Sequence, residues 1–152
     1  MIKFKNRNIY LSASILFGNW MYLNKDISQL NELDIDFLHL DIIDGKFSSD
    51  FTMGSSIINK ISNHTNLNFD YHLMVNEPSN IFETFNFKKS NIVSIHQESS
   101  RNLHKDIINL KKKGLKVGCA LSMSSPLDSL EYLLDDIDVI LIMINNPDSE
   151  IQ

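Results

Sequence analysis

The chain has 152 residues, which is enough for one domain whose core buries about two thirds of the surface exposed by the unfolded chain. Hydrophobic residues make up 43% and charged residues 22%, a balance that excludes intrinsically disordered, collagen-like and low-complexity proteins. Fourteen Lys and Arg against 19 Asp and Glu give a formal net charge of -5. Because such a surface repels a phosphate backbone, we expect no nucleic-acid partner.

Cysteine content and hydropathy predict a cytoplasmic protein. The single cysteine, Cys119, excludes an internal disulfide framework. No apolar run approaches the roughly 20 residues of a membrane span, so no membrane partner is expected. Residues 1–7 lack the apolar segment of a secretory signal, and we therefore expect a cytoplasmic location.

The first half of the chain alternates short apolar runs with segments of helical periodicity. A run at 9–16 predicts the first strand, and apolar residues three or four apart predict a helix over 20–33. The elements that follow are a strand at 36–43 ended by Gly45, a short helix at 55–61, a strand at 69–75, and a helix that begins near Pro78 and continues through Phe85.

The second half repeats this alternation. An amphipathic helix over 103–113 ends at Gly114, a typical C-terminal cap. Ser125 is the expected N-cap of a helix over 125–134, with Pro126 in its first turn. Strands are predicted around these helices at 91–96, 115–121 and 137–144.

Six apolar strands, the first five each followed by a helix, indicate a parallel sheet covered by helices. No linker rich in Pro, Gly or Ser divides the chain, so we expect a single domain over residues 1–152. Both an open doubly wound sheet and a (β/α) barrel fit this pattern. The chain has no G-x-G-x-x-G motif that would favour the first, and a full barrel needs eight strands and typically about 250 residues.

Polar side chains fall where ligands bind in parallel α/β folds, near the C-terminal ends of strands. Side chains at positions i and i+2 of a strand share one face. Three such pairs occur: Ser12 with Ser14, His39 with Asp41, and His72 with Met74. Two imidazoles and one carboxylate can coordinate a divalent metal ion, although the same groups can also be buried polar residues that pair with one another. Taken alone, His72 fits the second interpretation better.

Six segments, in order and at matching spacing, resemble the ribulose-phosphate 3-epimerase family, whose members are (β/α)8 barrels. The family patterns are S-P-S-I-L, H-x-D-x-M-D-G, H-L-M-V, T-x-H-x-E, G-x-A-L-x-P-x-T-P-L and D-x-V-L-x-M-x-V-N-P-G. The corresponding segments here are 12–16 (SASIL), 39–45 (HLDIIDG), 72–75 (HLMV), 94–98 (SIHQE), 118–127 (GCALSMSSPL) and 139–147 (VILIMINNP). The resemblance implies an incomplete TIM-barrel type fold of about six parallel strands with helices outside.

The resemblance also implies an isomerase that converts D-ribulose 5-phosphate to D-xylulose 5-phosphate. The C3 proton would be moved through an enediolate with the help of one divalent metal ion, zinc, iron, manganese or cobalt. Asp41 would be an acid/base residue. The implied metal ligands are His39, Asp41 and His72, and the implied substrate-binding residues are Ser14, His39, His72, Met74 and Met143. His96 matches a family position, but we expect it to be structural.

The chain departs from the family pattern in its last residues. The family's second acid/base aspartate lies on a seventh strand, and its phosphate-binding glycines follow strands six to eight. Residues 146–152 read NPDSEIQ where the family has NPGFGGQ, and Asp148 and Glu150 would repel a phosphate. We therefore expect epimerisation by these 152 residues to be impaired.

Two other functions remain open from the sequence. One is a non-catalytic homologue that acts as a binding or scaffolding module, and the other is an epimerase for another ketose phosphate, such as a hexulose 6-phosphate. Six strands of an eight-stranded barrel leave two open edges, which predicts a homo-oligomer.

Overall fold

The computed structural model describes residues 9–145, in which six strands form one parallel sheet. The strands are β1 (Ser12–Ser14), β2 (Phe37–Ile43), β3 (Asn68–Met74), β4 (Ile92–His96), β5 (Lys116–Leu121) and β6 (Val139–Ile142). Every strand pairs with the next one along the chain, without the reversal of order that marks a doubly wound sheet. The sheet curls into part of a barrel, which confirms the predicted incomplete TIM-barrel type.

The hydrophobic core lies between the outer face of the sheet and the helices. The α-helices are α1 (Leu23–Asn31), α2 (Ser55–Ile61) and α3 (Leu103–Lys112). Leu40 of β2 and Leu73 of β3 are fully buried on the outer face, where Ile58 of α2 and Ile107 of α3 join the same cluster. Since side chains alternate along a strand, this packing turns the neighbouring polar residues toward the barrel interior.

Helix α3 is capped at both ends, and its C-terminal cap was predicted from the sequence. The Asn102 side chain accepts a hydrogen bond from the Lys105 backbone N–H, which satisfies one free donor of the first turn. Gly114 follows the helix with a φ of +78°, a conformation that glycine adopts without strain. The prediction that Gly114 ends this helix is confirmed.

The helix predicted near Pro78 is wrong, because two short 3-10 segments, Pro78–Asn80 and Phe82–Thr84, stand in its place. The Asn59 side chain donates to the Thr84 carbonyl and accepts from the N–H of residue 86. These backbone groups are therefore paired with α2 and do not continue a helical ladder. A 3-10 turn over Trp20–Tyr22 likewise replaces the start of the predicted helix at 20–33.

The helix predicted over 125–134 is a 3-10 helix over Leu127–Leu133, and Ser125 is not its N-cap. The Ser125 hydroxyl donates to the Glu98 carboxylate, and Pro126 stands at the cap position without a side-chain bond. Leu130 and Leu133, three residues apart, are the buried positions of this segment, a spacing that matches three residues per turn.

None of the helices among residues 9–145 has the length and apolar character that a membrane span requires. The expectation that Asp148 and Glu150 repel a phosphate concerns positions outside the described residues. The single domain over residues 1–152 stays a prediction.

Candidate metal centre

The pairing of β1, β2 and β3 places the predicted polar residues side by side. In the parallel register Ser14 lies opposite His39, and Asp41 lies opposite His72. Leu40, which separates His39 from Asp41, faces the helices and is fully buried. The alternation therefore turns both polar side chains of β2 to the interior, as the sequence predicts.

Asp41 is the centre of this cluster. Its Oδ1 atom lies 3.1 Å from Nε2 of His39 and 3.1 Å from Nδ1 of His72. Its Oδ2 atom accepts a hydrogen bond of 2.9 Å from the Ser14 hydroxyl. The two oxygens thus have different neighbours, because one faces the imidazoles and the other faces the first strand.

The donor set fits a divalent transition-metal ion. One ligand atom each from His39, Asp41 and His72 lies within 4.8 Å of the other two. Imidazole nitrogens and a carboxylate oxygen are the ligands that zinc and its neighbours in the first transition row accept. Three protein ligands leave further coordination positions for a substrate or water, as in catalytic sites.

A cavity of about 660 Å³ opens beside this cluster, within the usual size range of small-molecule sites. All six residues that the sequence predicts for the site line it: Ser14, His39, Asp41, His72, Met74 and Met143. Aromatic side chains from the loops after β1 and β2, Phe17, Trp20 and Phe51, form further parts of its wall. The cavity therefore combines an apolar wall with one polar cluster.

Asp70 is a member of the cluster that our sequence analysis missed. Its Oδ2 atom lies 2.8 Å from Nδ1 of His39 and accepts a hydrogen bond from the Ser12 hydroxyl at 2.9 Å. Asp70 is two residues before His72, so the rule that joined His72 with Met74 also places it on the inner face.

His96 and Glu98 extend the cluster toward β4, a connection that the sequence analysis did not predict. Nε2 of His72 lies 2.9 Å from Nε2 of His96, and Nδ1 of His96 lies 3.0 Å from Oε2 of Glu98. His96 is completely buried, and both of its ring nitrogens have a partner. The structural role predicted for His96 stays a prediction. The spacing of His96 and Glu98 across the end of β4 is the signal that could have identified this group.

Electrostatics hold His39 and Asp41 as an ion pair. Burial alone lowers the pKa of His39, but hydrogen bonds and charge attraction from Asp41 and Asp70 outweigh it and raise the pKa to about 10. Burial alone raises the pKa of Asp41, whereas bonds to His39 and His72 outweigh it and hold the pKa far below its usual range. Without a metal ion, His39 is therefore an imidazolium held between two carboxylates.

His96 and Glu98 show the opposite arrangement. Burial and the charge of His72 lower the pKa of His96 to about 4, although Glu98 acts against this shift. Burial raises the pKa of Glu98, but bonds from Ser125, from the Ser122 backbone and from His96 lower it overall. At neutral pH this part of the cluster holds a neutral imidazole beside an ionised carboxylate.

Comparison with known proteins identifies the family of this barrel. The ribulose-phosphate 3 epimerase family matches residues 10–152, which is nearly the whole chain. The chain belongs to the ribulose-phosphate 3-epimerase family. This finding confirms the resemblance that the six segments indicated.

Curated relatives from three organisms agree with the family match. The chain is 37% identical over 144 residues to a ribulose-phosphate 3-epimerase of Synechocystis sp., covering 93% of this chain and 63% of the relative. It is 34% identical over 147 residues to a chloroplastic ribulose-5-phosphate-3-epimerase of Arabidopsis thaliana, with 95% and 52% covered. The Bacillus subtilis ribulose-phosphate 3-epimerase is 32% identical over 139 residues, with 91% and 64% covered. The chain thus spans between half and two thirds of the length of these relatives.

Proposed function

We propose that this chain carries the metal-binding half of a ribulose-phosphate 3-epimerase site, which inverts C3 of D-ribulose 5-phosphate. The observation that carries the proposal is the convergence of His39, Asp41 and His72 at the strand ends, beside a cavity of suitable size. The names of the relatives support the choice of a ribulose phosphate as substrate. We propose zinc, iron, manganese or cobalt as the metal ion.

Asp41 is the proposed acid/base residue. A divalent cation, when bound, supplies Lewis-acid stabilisation for the negative charge that develops on the substrate's O2 and O3. Because Asp41 Oδ1 faces the two imidazoles, Oδ2 is the oxygen that would accept the C3 proton. The Ser14 hydroxyl fixes that oxygen by a hydrogen bond, and the Thr52 hydroxyl holds the Asp41 carbonyl at 2.6 Å.

Met74 and Met143 are the proposed walls beside the reacting carbon. Met74 is 3% exposed, is the last residue of β3 and lines the cavity. Met143 lies just after β6 and lines the same cavity. These side chains offer apolar, polarizable surface and no proton donor, so they would shield an enediolate from protonation by water.

Inversion requires a second acid/base group on the opposite face of the substrate. The described strands hold Asp41 on one side of the cavity, and the family resemblance places the second aspartate on a seventh strand. A single base can remove the C3 proton and return a solvent proton to the same face. We therefore propose that the 152-residue chain exchanges the C3 proton faster than it inverts C3.

The decisive experiment is proton exchange at C3, measured by NMR in deuterium oxide with D-ribulose 5-phosphate and added zinc, iron, manganese or cobalt. We expect deuterium at C3 of the recovered substrate. D41N should reduce the exchange rate by at least about a hundredfold, because the amide is not a base. The matched control is D50N, which makes the same change in another residue of the cavity wall.

Three results would contradict the proposal. These are no exchange with any of the four metals, equal loss of exchange in D50N and D41N, and unchanged exchange in D41N. The first result would favour a non-catalytic binding or scaffolding module, which is the alternative function. Faster exchange with a hexulose 6-phosphate would instead change the proposed substrate within the same reaction class.

We also propose a homo-oligomer in the cytoplasm. The outward side chains Ile140 and Ile142 on the edge strand β6 are 42% and 61% exposed. β1 is the opposite edge of the sheet, so both edges can pair with another chain. Light scattering should show a dimer or larger species at micromolar concentration, and a monomer would contradict this part of the proposal.

A further inference from the structure

A series of three contacts runs from Asp41 to the rim of the barrel. It consists of Asp41 Oδ1 with His72 Nδ1 at 3.1 Å, His72 Nε2 with His96 Nε2 at 2.9 Å, and His96 Nδ1 with Glu98 Oε2 at 3.0 Å. Both imidazoles are buried, so each contact needs a proton or a cation between its two atoms. Which atom donates and which accepts along these contacts decides which nitrogen of His72 has a free lone pair.

Glu98 fixes which atom donates at the outer end of this series of contacts. Its Oε1 atom accepts a hydrogen bond of 3.0 Å from the Ser122 backbone N–H and another from the Ser125 hydroxyl. Oε2 is therefore left to His96, and a carboxylate oxygen can only accept. Nδ1 of His96 must carry the proton in this contact.

This polarity continues through the two rings. A neutral His96 with its proton on Nδ1 presents a lone pair on Nε2, and Nε2 of His72 then donates to it. In the neutral tautomer of His72 this leaves a lone pair on Nδ1, which faces Asp41 Oδ1. A metal ion between these two acceptors, which lie 3.1 Å apart, supplies the positive charge that the contact needs.

We propose that Glu98 and His96 are positioning residues that hold His72 in the tautomer whose Nδ1 atom binds the metal ion. The inference rests on the proposed function insofar as His72 is a metal ligand. Residues that orient a ligating histidine through its second nitrogen commonly change metal affinity by about 10- to 100-fold. Here the orientation is transmitted through a second imidazole rather than supplied by the carboxylate directly.

The substitution E98Q tests this direction with almost no change in shape. The amide oxygen would keep the bonds from Ser122 and Ser125, which places the NH2 group against Nδ1 of His96. The donor and acceptor order then reverses, and His72 receives a proton on Nδ1 and donates it to Asp41. Every contact of the zinc-free variant is satisfied, but the nitrogen needed by the metal ion is blocked.

We expect E98Q to bind zinc about 10- to 100-fold more weakly than the native chain in calorimetric titrations. The zinc-free variant should melt no lower than the zinc-free native chain, because its three contacts are complete. Imidazole 15N chemical shifts should place the His72 proton on Nε2 in the zinc-loaded native chain and on Nδ1 in zinc-free E98Q. A merely structural role of Glu98 would not produce this switch.

The matched control is D136N, since Asp136 also faces an imidazole, that of His104 at 3.1 Å, but on the exposed surface. D136N should keep native zinc affinity. In the background of H96F, E98Q should cause no further loss, because its effect passes through the His96 ring. The double variant also separates the relay from any direct influence of Glu98 on the site.

Zinc affinity of E98Q within twofold of native, or a His72 proton on Nδ1 in the zinc-loaded native chain, would overturn the proposal. So would a lower melting temperature of zinc-free E98Q together with weaker binding, since that is the pattern of ordinary structural damage. A native chain that binds zinc but does not exchange the C3 proton contradicts the proposed catalysis and leaves this comparison intact. A native chain that binds no zinc overturns the inference together with the metal site.

Discussion

Zinc binding should release protons, because His39 is protonated on both nitrogens before the metal ion arrives. Its Nδ1 atom lies 2.8 Å from Asp70 and its Nε2 atom 3.1 Å from Asp41, so each nitrogen donates to a carboxylate. A metal ion can bind the ring only after the Nε2 proton has left. The contact with Asp70 can remain and would then fix the neutral tautomer of the ring.

The size of this effect follows from the pKa of His39, which Asp41 and Asp70 raise to about 10 despite burial. Below that pH, zinc affinity should rise about tenfold for each pH unit, because one proton competes with the metal ion. At pH 7, removing the proton from His39 costs about 4 kcal/mol of the free energy of zinc binding. The free energy of unfolding of the zinc-free chain changes with pH in the opposite direction to zinc affinity. Its stabilisation by protonated His39 is complete below about pH 6.5 and is lost as the pH rises toward 10.

Calorimetric titration with zinc measures both the number of protons released and the pH dependence of zinc affinity. The observed enthalpy at pH 8, plotted against the ionisation enthalpy of several buffers, should give at least one proton released per metal ion. D70N removes one of the two carboxylates, so it should lower the pKa of His39 and flatten the pH dependence of affinity. No proton release, or constant affinity between pH 7 and 9, would refute the reasoning.

The packing around the site leads to two further predictions. Leu40 is fully buried behind the cluster of His39, Asp41 and His72, so L40A should lower the free energy of unfolding in urea by about 2–5 kcal/mol. The control L127A changes a residue that is 60% exposed and should alter this free energy by less than about 0.5 kcal/mol. G118A would place a methyl group against the Ser94 side chain in the barrel interior and should lower the free energy of unfolding by about 1–3 kcal/mol. In the control G54A the added methyl group meets no atom within 4 Å, so the free energy of unfolding should fall by less than about 0.5 kcal/mol. Equal effects within either pair would contradict the assigned packing.

Strand alternation predicted the centre of the site from the sequence. The i and i+2 rule placed His39 with Asp41, and parallel pairing then brought His72 opposite Asp41. The same rule places Asp70 on the inner face opposite His39, but the sequence motif around His72 does not mark it. The choice between a barrel and an open sheet came from the family resemblance, since strand order is a property of the whole sheet.

The local predictions that were wrong involve bonds between distant parts of the chain. Ser125 has the sequence context of an N-cap, but its hydroxyl is bonded to Glu98, 27 residues away. The segment after Pro78 has helical spacing, but Asn59 takes the backbone groups that would have continued the helix. Propensity describes neighbours in sequence, so neither contact was available to it.

We propose that His39, Asp41 and His72 bind one metal ion together. Anomalous diffraction at the zinc absorption edge, from crystals grown with zinc, locates that ion directly. We predict one strong peak within about 2.0–2.2 Å of a ring nitrogen of His39, of Nδ1 of His72 and of a carboxylate oxygen of Asp41. No peak between these three side chains in fully loaded crystals, or zinc bound only elsewhere on the chain, would contradict the claim.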